Sequence, residues 1–296
     1  MDFELLASSF LMGLMLGGLY AAVAVGLSLI FGIIRVINFA HGAFLMVAMY
    51  ASFWLWYFFG IDPYISMIPV AVLFFYFGYY VQKWLIRPIF IREKALVIEP
   101  LGVLLLTAGF DLVLSNLALL FFKSDFRAVV SPAASATIDL GFVDLNIPRL
   151  IVFILSFVIT GALYWLLNYT EKGVAIRSVG QNREAAALCG VNVYRIYNFT
   201  FGIGTAALAL AGAAMVPFYY VNPSMGLSLG IKSFIVVVLG GLGSVPGALI
   251  GGLILGVVES VTAQFVMSTS SVIFSFLLFI LVLFTRPKGI MGVLET

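Results

Sequence analysis

Apolar runs long enough to cross a membrane dominate this chain, and only short polar stretches separate them. They cover about residues 5–33, 40–60, 64–86, 96–122, 149–168, 198–220, 231–243, 247–263 and 271–285. A helix rises about 1.5 Å per residue, so about 20 apolar residues cross a hydrocarbon core of roughly 30 Å. The pattern predicts about eight or nine crossings, two of the runs being short. Trp54, Trp56, Tyr57, Tyr79, Tyr80 and Trp165 stand toward the ends of runs, where amphipathic rings suit the interface.

Basic residues orient the runs. Lys83, Arg87, Arg92 and Lys94 follow the third, Lys172, Arg177, Arg183 and Arg195 the fifth, and Arg286 and Lys288 the last. The positive-inside rule places these clusters in the cytoplasm. They agree with one another if the chain starts outside, ends inside, and dips in and returns over 231–263, turning on the inner side at GGLGSVPG, residues 240–247. The loop at about 123–148 then lies outside, and the charged stretch at about 169–197 lies in the cytoplasm.

Two places break the plain helical pattern: FGIIRVINFAHG at 31–42 and GGLGSVPG at 240–247. Each is either non-helical backbone at membrane depth, tolerable only where protein or a wet cavity surrounds it, or a tight turn at the inner surface. Interrupted segments in both halves of a chain point toward a solute path and hint at an internal repeat. Small residues recur at Gly13 and Gly17, Gly247 and Gly251, and Gly252 and Gly256. That spacing lets helix backbones approach closely, either inside the bundle or at a subunit interface.

Composition narrows the class. With 63% hydrophobic residues, 9% charged and a mean hydropathy of +1.18, no length remains for a soluble catalytic domain. The opening MDFELL is acidic where a signal peptide is basic, so the first run reads as a retained helix. Cys189 is the only cysteine, which excludes an intramolecular disulfide and any cysteine-cluster metal site. A net charge of +2 gives no sign of a nucleic-acid partner. No Walker A loop occurs, and the GxGxxA spacing of Gly202, Gly204 and Ala207 sits inside an apolar run with no strand before it.

The longest charged stretch holds QNREAAALCGVN at 181–192. Asn182 suits the cap of a short helix, Glu184 its positive end, and Gly190 a left-handed stop. The small Ala185, Ala186 and Ala187 fit either a groove on a partner or an ordinary solvated surface. Glu184, Ala185, Ala186 and Gly190 match the E-A-A-x-x-x-G order of the cytoplasmic coupling motif, which resembles that of bacterial ABC importer permeases; the following VNVYRIYNF lacks the Ile-x-Leu-Pro ending of the fuller motif. GLYAAVAVGLSLIFGIIRVINFAHGAFLMVAMY at 18–50 and GIKSFIVVVLGGLGSVPGALIGGLILGVVES at 230–260, with TRPKGIMG near the end, are similar to permeases of the high-affinity branched-chain amino acid ABC importers. INFAHG at 37–42 resembles the first of the two permeases in such systems.

The resemblance implies an all-α fold: a polytopic transmembrane bundle with interrupted or short helices and a short cytoplasmic coupling helix. It implies an inner-membrane permease with a second, homologous permease, two cytoplasmic ATPases and a periplasmic substrate-binding protein as partners. The solute it implies is a small zwitterion, most often a branched-chain or other apolar amino acid, with urea, short amides and aromatic acids as alternatives. No cofactor or metal is expected, and ATP hydrolysis is assigned to partner subunits, so the chain itself is not an enzyme. Arg183, Glu184, Ala185, Ala186 and Gly190 are the expected coupling residues.

Ser28, Asn38, His41, Thr107 and Asp111 are the candidate pathway residues. A charge at a span centre costs about 2.5–3.5 kcal/mol on insertion scales, and Asp111 stands near the middle of its run where Thr107, Gly109, Leu114 and Asn116 match the family pattern. Its carboxylate either faces a solute or finds a partner in a neighbouring helix. His41, the only histidine, falls short of the about three ligands a catalytic zinc needs and suits a polar lining or hydrogen-bonded hinge. Glu99, toward the cytoplasmic face, and Glu259, toward the opposite one, read mostly as structural. Proton coupling through Asp111, Glu99 or Glu259 is the rival mechanism.

Overall fold

A computed structural model describes residues 2–93, 101–129, 136–139, 144–265 and 271–292. Glu99 lies outside them. The chain opens with α1 (Asp2–Ile34), at 33 residues longer than a bilayer crossing needs. Every residue from Gly17 to Ile30 is buried, as expected of a helix that is apolar all round and therefore central. α2 (His41–Phe59) stops at Gly60, whose φ of +65° closes the last turn by donating its N–H to the Trp56 carbonyl. α3 (Pro63–Val81) starts on an Asp62 cap and continues through a π-helical turn, Gln82–Ile86, into α4 (Arg87–Glu93). α5 (Leu101–Phe122) lies at the periphery, with Leu105, Leu112, Leu120 and Phe121 exposed as lipid-facing residues would be.

A small antiparallel hairpin, β1 (Thr137–Asp139) and β2 (Asp144–Asn146), leads into α6 (Ile147–Tyr169). Two short helices, α7 (Glu171–Gln181) and α8 (Arg183–Leu188), precede α9 (Val193–Met215). α10 (Met225–Gly240), α11 (Val245–Phe265) and α12 (Ser271–Thr285) complete the order. Among the described residues seven helices are long and apolar enough to cross a membrane, and α10 and α12 supply shorter apolar helices. The run at 247–263 is of span length, because Val245 and Pro246 open the helix and it continues to Phe265.

The glycine pairs resolve as internal packing. A Cβ on Gly17 would collide with Gly252 and Leu253, and one on Gly256 with Gly13 and Gly17, so α1 and α11 touch backbone to backbone. Gly26 meets the Gly204 carbonyl where α1 crosses α9, and Gly247 meets Gly240 where α10 and α11 turn back on each other. Thr205 adds a polar tie, donating its hydroxyl to the Phe74 carbonyl of α3 at 2.9 Å.

The two sequence breaks differ. GGLGSVPG is a tight turn between α10 and α11: Gly241 and Gly243 take φ of +110° and +85°, and Ser244 N–H donates to the Gly241 carbonyl. The C-terminal TRPKGIMG folds against it, Ile290 and Met291 donating backbone N–H groups to the Leu239 and Gly240 carbonyls left open at the end of α10. The first break is non-helical backbone at depth. Residues 35–38 are non-helical, Arg35 turning the chain with a φ of +56°, and His41 Nε2 reaches the Val23 carbonyl at 3.0 Å. Val23 stands eleven residues before Ile34, about 16 Å back along α1, so the segment folds back beside the helix it left. Its counterpart is the stretch 216–224, which carries the chain to the start of α10.

Candidate functional site

The starts of the two interrupted spans meet each other. A Cβ on Gly42 would strike the Gly226 carbonyl and one on Gly226 the Gly42 carbonyl, while Gly230 sits one turn further along α10 against Gly42. Asn222 fixes the start of α10, its Oδ1 accepting from Ser224 N–H, the Ser224 hydroxyl and Met225 N–H. α2 has no such side-chain cap in its own sequence. Instead, the Asp111 carboxylate of α5 lies against the backbone N–H of Ala43 in the first turn of α2. A carboxylate at the positive end of a helix offsets part of the cost of placing Asp111 in an apolar span.

Four of the five pathway candidates gather here. Thr107, one turn before Asp111 on α5, accepts from Phe39 N–H at 3.3 Å, and its hydroxyl lies 3.4 Å from the Ile37 carbonyl, holding the non-helical segment. Asn38 is buried beside Thr107 and Phe110, and neither end of its amide meets a hydrogen-bond partner among the described residues. His41 is fully buried, with Nε2 on Val23 and Nδ1 unpaired within the described chain. Ser28 is elsewhere. Its hydroxyl donates to the Ser244 carbonyl at 3.0 Å and ties α1 to the turn between α10 and α11.

The charged stretch builds a second feature at one end of the bundle. Thr170 caps α7 through Gly173 N–H at 3.0 Å, a helix that the sequence reading left inside an undivided charged loop. Asn182 Oδ1 accepts from Glu184 and Ala185 N–H, both at 3.0 Å, and Gly190 takes φ of +84° after α8. Arg183, Glu184 and Ala185 are exposed. Ala186 is buried in the cluster that holds Tyr197, so its small side chain seats α8 on the protein rather than in a partner's groove. Leu188, which the sequence reading passed over, is 90% exposed at the tip. A cleft of about 530 Å³ runs beneath, between Arg35, Gly180, Arg183, Glu184 and Tyr197.

The described residues thus form an apolar bundle in which two interrupted helices meet and a capped helix projects from one end. A family model described as "Branched-chain amino acid transport system / permease component" matches residues 9–283. The chain belongs to this permease family. It is 34% identical to the high-affinity branched-chain amino acid transport system permease protein LivH of Salmonella typhimurium, over 95% of this chain and 93% of that one. It is 32% identical to the corresponding BraD permease of Pseudomonas aeruginosa, over 95% and 94%, and 27% identical to a probable LivH of Methanocaldococcus jannaschii, over 93% and 89%. No solved structure matches. As a member of the family the chain is a multi-pass membrane transport component, in keeping with its seven span-length helices.

Proposed function

We propose that the chain is one permease subunit of an ATP-driven importer for small apolar amino acids, branched-chain ones first. The match to branched-chain amino acid permeases over nearly the whole chain carries this reading. A second, homologous permease completes the pathway, two cytoplasmic ATPases supply the energy, and a periplasmic binding protein delivers the solute. The N-terminus lies outside and the C-terminus in the cytoplasm of the inner membrane. In support, the basic clusters around α4 and α7–α8 and after α12 all fall at one end of the spans.

The ATPases dock on α8 through Arg183, Glu184 and Ala185, with Gly190 shaping the exit and Ala186 anchoring the helix from below. α8 is held between α7 and α9, and α9 runs along both α1 and α3. A push on α8 therefore reaches the spans that flank the interrupted helices, the rigid coupling that alternating access requires. Asn38, His41, Thr107 and Asp111 offer polar groups to a solute passing the start of α2, with Ser28 holding the inner turn. Glu184→Lys tests the docking. The variant is expected to insert at wild-type level while ATP-dependent uptake falls about tenfold, since one misplaced charge at an interface is worth about 1.4 kcal/mol or more. Unchanged uptake would remove α8 from the coupling face.

A further inference from the structure

Tyr20 of α1, Lys232 of α10 and Glu259 of α11 meet inside the bundle. Lys232 Nζ lies 2.6 Å from Glu259 Oε1, and the Tyr20 hydroxyl donates to Glu259 Oε2 at 3.0 Å while accepting from the Lys232 ammonium. The ammonium also stands 4.6 Å from the centre of the Tyr20 ring. Burying such a pair costs several kcal/mol per ion before their attraction is counted. The glycine contacts already hold α1 against α11 and α10 against α11 without it. Ionisable groups at membrane depth mark functional positions by default.

Glu259 is not sealed off. Its residue also walls a cavity of about 390 Å³ at the end of the bundle opposite α7 and α8, within the size range of small-molecule sites. Arg149, exposed in the first turn of α6, lines the same cavity. The α1 side of the wall is apolar and adaptable, with Met12, Met15, Leu16 and Leu19 beside Phe218, while Tyr219, Ser260 and Gln264 add polar groups on the other side. One carboxylate, one guanidinium and the apolar α1 face complement the ammonium, the carboxylate and the side chain of one small molecule.

We propose that this cavity binds a free α-amino acid with an apolar side chain. Glu259 takes the α-ammonium, Arg149 takes the α-carboxylate as a planar fork suits it, and the α1 methionines and leucines take the side chain. The assignment rests on the amino-acid reading above and gives it a site on the outer half of the permease. The ligand ammonium shares Glu259 with Lys232, which stands two residues beyond Gly230 on α10. Gly230 abuts Gly42 at the start of α2, so an occupied cavity is linked to the interrupted spans through α10.

The test uses the complete transporter with Cys189→Ser and Met15→Cys, and measures the rate of maleimide modification at residue 15. Leucine at about ten times its Kd is expected to slow modification about tenfold, from simple occupancy, while 3-methylbutylamine and 4-methylpentanoate, each lacking one charged group, do not at the same concentration. Arg149→Gln, at an exposed position, is expected to abolish the protection while the protein still assembles. Ala263→Cys, on the α11 wall, repeats the measurement if Met15→Cys fails to assemble. Leucine uptake by the same complex is measured in parallel. Uptake without protection, or equal protection by 4-methylpentanoate, overturns the site and leaves the permease function standing. Absence of leucine uptake in the unmodified complex overturns the amino-acid reading and this site with it.

Discussion

Asp111 sits mid-span on α5 with its carboxylate against the Ala43 N–H at the start of α2. Asparagine there keeps the shape and an acceptor but loses the charge, which is worth about 0.3–2 kcal/mol at a helix start. If Asp111 lines the pathway, Asp111→Asn assembles at wild-type amounts and leucine uptake per assembled complex falls several-fold. A reduced amount of complex with normal uptake per complex would make Asp111 a cap alone. The residue itself stood out in the sequence because a charge interrupts an apolar run. Its partner did not, because Ala43 offers only a backbone group. Asn182 and Gly190 were legible for the opposite reason: capping and left-handed closure act within a few residues. Tyr20 and Lys232 escaped notice because the contacts that explain them join residues 239 and 212 positions apart.

At the scale of elements, the two interrupted spans were unequally readable. INFAHG announces a break because Asn38 and His41 stand among apolar residues. The second interruption was read through as one run at 198–220, since Val216, Pro217, Phe218, Tyr219 and Tyr220 keep the apolar character after α9 ends at Met215. Pro217, with no N–H to continue the ladder, was the available signal. The contact between these spans is backbone against backbone at Gly42 and Gly226, so it tolerates no Cβ. Gly42→Ala is expected to destabilise the purified permease by about 1–3 kcal/mol, the usual range for overpacking, read as a lowered thermal midpoint. Gly161→Ala, where an added Cβ meets nothing within 4 Å, serves as the comparison and is expected to hold its midpoint. Equal midpoints in the two variants would contradict the close crossing.

Across the whole molecule, the path from α8 through α9 to α1 and α3 joins a projecting helix at one end to interrupted helices at depth, and the cavity at Glu259 opens at the other end. In the proposed reading energy enters at α8, where the partner ATPases dock. The class of fold and the membrane character followed from hydrophobic runs alone. The order of packing did not, since it depends on which glycines face each other across the bundle. The most direct measurement is leucine uptake into vesicles holding this permease with its partner permease, ATPases and binding protein, with ATP and the proton gradient varied separately. Uptake is expected to stop when ATP is withdrawn and to persist when the gradient is collapsed. Uptake that follows the gradient and ignores ATP would contradict the account.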